Sequence, residues 1–143
     1  MMLDFEYYNH PVIFAVVRII LGILFFMQAY DKVFKIGLKQ VVDAYELPVN
    51  HPLSSNFLVW SGTIYTSYCE LLGGLLLIGG LFTNYVMYLL AIDMIIATLG
   101  FCLQSPLFDM KFVWNRLVML GFLLIAPIEW NLFSLDHLFG FVK

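Results

Sequence analysis

Three ionisable side chains interrupt otherwise apolar runs. Arg18 stands in "VVRIILGILFF", Glu70 in "YTSYCELLGGLLLIGG" and Asp93 in "YLLAIDMIIATLG". A charge inside an apolar helix costs upward of about 2.5 kcal/mol on insertion scales, so such groups are expected to pair, to relay protons or to polarise a ligand. Whether these three can meet depends on the elements that carry them.

The composition names those elements. Of 143 residues, 62% are hydrophobic and 12% are charged, and mean hydropathy is +0.91. A soluble domain of this size carries about 25% charged residues. Half that value with long apolar runs predicts an all-α integral membrane protein with the lipid bilayer as its first partner. We expect one domain over residues 1–143, a four-helix transmembrane bundle with helices over about 12–34, 57–80, 84–103 and 112–126. Pro11 suits a first helical turn, Thr83 an N-cap, and Pro127 a helix end. The tight link "GLFTN" makes the second and third helices antiparallel. In the first long loop, "KIGLKQVVDAYE" puts Leu38, Val41, Val42 and Tyr45 opposite Lys39, Gln40, Asp43 and Glu46, the pattern of a short interfacial helix. The tail "EWNLFSLDHLFGFVK" predicts a second one, with Trp130 at headgroup level.

Helical periodicity sorts the second helix into two faces. With Glu70 at the centre, Gly62, Thr63, Thr66, Ser67, Gly73, Gly74 and Gly80 fall on its side, with Val59 and Leu77 as the larger exceptions. Ile64, Tyr65, Tyr68, Leu72, Leu75 and Leu76 fall opposite. Small residues allow close helix approach, so Glu70 is expected to point into the bundle. Arg18 shares a face with Gly22, Phe25, Ala29 and Lys32, and Asp93 with Val86, Leu89, Ala97, Gly100 and Gln104.

Counting from the predicted helix ends on the terminal side, Arg18, Glu70 and Asp93 lie about 9, 15 and 15 Å deep. An arginine reaching along its helix covers that offset. We therefore expect an intramembrane cluster of Arg18, Glu70 and Asp93. One cation against two acids leaves a carboxyl group that must hold a proton or find Gln28, Thr66, Ser67, a tyrosine hydroxyl or water. Lys32 and Arg116, with Asp31, are expected as snorkelling anchors near the membrane boundary. Two roles stay open for the cluster: polar glue fixing helix register, and a proton relay or ligand-polarising site.

Other chemistry finds little footing. A net charge of −3 with no basic run offers nothing to nucleic acid. His10, His51 and His137 fall outside the four spans and lack metal-ligand spacing, so neither intramembrane haem nor a metal site is expected. Cys69 and Cys102 are placed at different depths and are not expected to bridge. Tyr65, Tyr68, Tyr85 and Tyr88 fit an aromatic belt, or the walls of a slot for a quinone ring. Lys32, Lys35, Lys39, Lys111 and Arg116 collect on the side of the two long connections, against Lys143 and the Arg18 end. That bias puts the connections in the cytoplasm and both termini outside.

The segments "VRIILGILFFMQAYDKVFKIG" and "CELLGGLLLIGGLFTNYVMYLLAIDMIIATLGF" resemble the DoxX family of small four-helix membrane proteins. Arg18, Gly22 and Lys32 match its first-helix pattern. Glu70, Gly73, Gly74, Gly80 and Thr83 match its second helix and turn, and Met94 and Ala97 fit its third. Ala29 departs from it, standing where the family prefers glycine. The resemblance implies a bacterial inner membrane and a link to redox chemistry, since relatives include the membrane subunit of a thiosulfate:quinone oxidoreductase. It raises quinone as the ligand class and other membrane or peripheral subunits, or copies of this chain, as partners. It names no catalytic residue. Three functions therefore compete: an accessory subunit of a quinone-linked assembly, a small oligomeric transporter or proton-coupled carrier, and a scaffold whose charges are structural.

Overall fold

The computed structural model describes residues 2–43, 56–104 and 111–141, with side chains over 9–43, 57–100 and 113–141. Its elements are helical throughout: α1 (Met2–Tyr30), a π-helical segment (Asp31–Ile36), α2 (Leu38–Asp43), α3 (Asn56–Gly79), α4 (Thr83–Gln104), α5 (Lys111–Ile125), a 3-10 turn (Ile128–Trp130) and α6 (Leu135–Leu138).

The first helix is longer than its apolar run. It begins at Met2 and carries Pro11 internally rather than at its first turn. Proline removes one backbone bond, a loss that a helix packed against neighbours tolerates. At its other end the winding loosens, and Gly37 N donates to Lys32 O at 3.1 Å, the i to i+5 bond of a π-helix. Gly37, at φ 85°, ends it in a conformation open to glycine.

The stretches Asn9–Ile36 and Thr83–Gly100 are long and apolar enough to cross a membrane, and Val113–Ile125 is a shorter apolar helix. Helix α3, of 24 residues, carries Thr63, Thr66, Ser67 and Glu70 within its apolar sequence. All four of those polar residues are buried. Ile64, Tyr65, Tyr68, Leu72 and Leu75 are exposed on the other face. An inside-out distribution of this kind, with polar groups inward and large apolar groups outward, suits a lipid surround. Phe14, Leu21, Phe25, Leu77, Val86, Met87, Leu90, Met94, Val113, Leu120 and Leu123 form the apolar core.

Helices α1 and α3 touch through their backbones. A Cβ added at Gly22 would lie 2.8 Å from Gly74 O, and one at Gly74 would lie 2.6 Å from Phe26 N. As the chain advances from Arg18 through Gly22 to Lys32 of the π-helical segment, its partners on α3 recede from Leu77 through Gly74 to Glu70, so the pair is antiparallel. Gly73 meets Leu90 of α4.

Helix α2 has the two-faced character expected of it over the described part. Leu38, Val41 and Val42 are half-buried, and Lys39, Gln40 and Asp43 are exposed. Tyr45, Glu46 and His51 lie outside the described residues. The tail does more than lie at an interface. Asp136 Oδ1 and Oδ2 accept from Phe82 N and Thr83 N, each at 2.7 Å, and Asp136 N donates to Gly80 O at 2.9 Å. The N-terminus of α4 is thus capped by Asp136 from the tail rather than by Thr83. The Thr83 hydroxyl instead accepts from Asn131 Nδ2 at 3.0 Å. Phe133, Leu135, Leu138, Phe139 and Phe141 stay exposed on this segment, and Trp130 stacks on His10 with ring centroids 4.6 Å apart.

Candidate functional site

Four helical elements each contribute one charged group to a buried cluster. Lys32 comes from the π-helical segment, Glu70 from mid-α3, Asp93 from mid-α4 and Arg116 from α5. Lys32 Nζ donates to Glu70 Oε2 at 2.6 Å, and Arg116 Nη1 lies 3.5 Å from Glu70 Oε1. Glu70 and Asp93 are 0% exposed, Arg116 is 4% exposed, and the Lys32 side chain retains 20%. Asp93 lies within electrostatic reach of Glu70, Lys32 and Arg116. Among the described residues neither Asp93 oxygen has a hydrogen-bond partner. The guanidinium of Arg116 also sits over the Phe25 ring, 5.3 Å from its centroid.

The structure does not bring Arg18 to this cluster. Its Nη1 donates to Leu77 O at 2.6 Å and Ile78 O at 3.1 Å, and its Nη2 to Phe133 O at 2.7 Å. The guanidinium closes over Gly80, where φ is +67° and an added Cβ would lie 2.7 Å from Arg18 Cζ. The Asp136 carboxylate is the charge that acts on it. Arg18 therefore ties α1 to the α3–α4 turn and to the tail.

The reason is helix register. Aligning helix ends puts Arg18 near Glu70, but the Gly22–Gly74 contact sets a different register. Arg18 precedes Gly22 by four residues and Glu70 precedes Gly74 by four. In an antiparallel pair those steps add, so the two residues lie about 12 Å apart along the axes. Lys32 falls on the Glu70 side of the contact and reaches back to it. Lys32 and Arg116 are thus ion-pair partners of Glu70 rather than boundary anchors. Asp31, by contrast, pairs with Lys35 at 2.6 Å on the exposed helix surface.

The supporting residues divide. Ser67 is fully buried one turn before Glu70, and its Oγ has no hydrogen-bond partner among the described residues. Thr66 Oγ1 turns back to Thr63 O at 3.3 Å. Gln28 is half-buried on α1, and the side chains of Gln104 and Cys102 lie outside the described residues. Cys69 is half-buried, with Sγ 3.8 Å from Leu89 O. Asp136, Asn131 and Ser134 went unread in the sequence. The available signal was "SLDH", in which Ser134 caps α6 by accepting from His137 N at 3.2 Å.

Acids and bases drawn from four helical elements into the interior of an apolar bundle define a membrane protein with a polar core. The chain belongs to the DoxX family, whose model matches residues 13–103. Neither the curated proteins nor the solved structures yield a match to it. Helix α5 and the tail, which supply Arg116 and Asp136, lie beyond the matched segment.

Proposed function

We propose that this protein is a four-helix transmembrane bundle of the bacterial inner membrane, with both termini outside the cytoplasm, serving as an accessory subunit of a larger quinone-linked redox assembly. The observation that carries this reading is the buried Lys32–Glu70–Arg116 arrangement beside Asp93, whose oxygens have no hydrogen-bond partner among the described residues. Structural glue needs only matched pairs, whereas this interior keeps polar capacity over. Family kinship supports the redox setting.

A quinone has two carbonyl oxygens that accept hydrogen bonds, and its reduction takes up two electrons and two protons. The residues present fit such a ring. Ser67 Oγ is a buried hydroxyl donor without a partner among the described residues, and Lys32 and Arg116 are cationic donors on the same side of the bundle. Asp93 is the proton-handling group.

The deciding experiment pairs Glu70→Gln with co-purification in mild detergent. The expected result is a folded variant that retains its partner proteins but loses quinone-dependent electron flow. Loss of folding together with partner binding would instead favour the scaffold, a reading that the knitting of three helical elements by the ion pairs also supports. Substrate uptake by the chain alone in proteoliposomes would favour the small oligomeric transporter.

A further inference from the structure

Charge counting within the cluster leaves Asp93 apart. Lys32 and Arg116 are both directed at Glu70, one oxygen each, at 2.6 and 3.5 Å. Asp93 is equally buried, yet neither of its oxygens receives a donor from the described residues. Two opposing influences act on it. It is fully buried beside the like-charged Glu70 on one hand and the cations Lys32 and Arg116 on the other. A group held between such influences can change its state without rearranging the bundle, because no hydrogen bond to the described residues breaks when it does.

The surroundings leave a proton its way in beside Lys32. From α3, Tyr65 and Cys69 interact with each other and with the Asp93 charge. Tyr65 is 38% exposed on the face turned to lipid and Cys69 half-buried, so the pair lies along the α3–α4 seam beside Asp93. The partly exposed Lys32 reaches the site from the end of α1. On α4 itself, Tyr88 faces outward.

We propose that Asp93 is a proton-binding site at mid-membrane, its carboxyl group gaining and losing a proton while Glu70 keeps its contacts with Lys32 and Arg116. On uptake, one Asp93 oxygen forms an O–H bond as a hydronium ion breaks one of its own and is left as water. The formal charge of the four groups then goes from zero, two cations and two anions, to +1. This site rests on the membrane-embedded cluster and holds whether or not the assembly is quinone-linked.

Dicyclohexylcarbodiimide, an apolar reagent that adds to protonated carboxyl groups, tests it on the wild-type protein in lipid nanodiscs. Peptide mapping by mass spectrometry should find the adduct on Asp93, several-fold above Glu70. Labelling should fall as pH rises and the acid form is lost. Asp93→Asn should abolish the adduct and Asp93→Glu restore it. Should Asp93→Asn fail to fold, the wild-type peptide map and a pH-dependent carboxylic C=O infrared band still decide. Adduct mainly on Glu70, or none on Asp93 at any pH where the protein stays folded, would overturn the proposal. Neither outcome bears on partner binding or electron flow, so this test and that of the accessory role fail separately.

Discussion

Lys32 Nζ donates to Glu70 Oε2 at 2.6 Å, joining the π-helical end of α1 to the middle of α3. The bond crosses from a partly exposed lysine to a fully buried carboxylate. It therefore links the surface of the bundle to its polar core. It also defines which cation belongs to which acid.

Double-mutant cycles should reproduce that assignment. Polar contacts between membrane helices are worth about 1–2 kcal/mol at most. Lys32→Gln with Glu70→Gln should show coupling of about that size in thermal or denaturant unfolding. Arg18→Gln with Glu70→Gln should be additive within about 0.5 kcal/mol, because the two side chains share no partner. Strong Arg18–Glu70 coupling would contradict the register set by Gly22 and Gly74.

That register can be probed at its contact. Gly74→Ala places a methyl 2.6 Å from Phe26 N and 2.8 Å from Gly22 O, both backbone atoms that cannot swing aside. We expect a loss of about 1–3 kcal/mol from overpacking. Gly121 in α5 has nothing within 4 Å of an added Cβ, so Gly121→Ala should be neutral or slightly stabilising. Equal melting temperatures for the two variants would refute the close α1–α3 crossing.

The tail should prove part of the bundle end. Asp136→Ala removes acceptors from Phe82 N and Thr83 N and takes the companion charge from Arg18. A lost cap costs about 0.5–2 kcal/mol. Hydrogen exchange at the amides of residues 82–83 should speed up, with α5 unaffected. Protection unchanged there would mean that Asp136 does not cap α4.

Arg18→Lys should also destabilise, despite keeping the charge. A guanidinium donates to Leu77 O, Ile78 O and Phe133 O from two nitrogens, and a single ammonium cannot match that fork. The expected loss is about 1–3 kcal/mol, the range for hydrogen bonds to a charged group. Labelling of a cysteine introduced at Phe133 should increase as the tail loosens. A melting temperature and labelling rate equal to wild type would sink the expectation.

Much of the individual helices could be read from the residues alone. The small and hydroxyl stripe around Glu70 and the outward tyrosines of α3 follow from a period of about 3.6 residues acting on one face. That period is a local property, and the sequence carries it in full. The burial of Thr63, Thr66, Ser67, Glu70, Gly73 and Gly74 matches that stripe. Even the apolar side of α2 was visible in its alternation with charged residues.

Which charge meets which was not local. A shift of one helical turn moves a side chain about 5.4 Å, enough to exchange one ion-pair partner for another. Depths counted from the ends of apolar runs paired Arg18 with Glu70, because helix ends do not fix how far two packed helices are offset along their axes. The register came instead from a backbone contact between Gly22 and Gly74, far apart in the chain, and from Arg116 and Asp136 arriving from later elements. By itself the sequence determined which faces turn inward and which charges must be accommodated there. Only the tertiary structure decided their partners, because register is settled by long-range packing that no single helix contains.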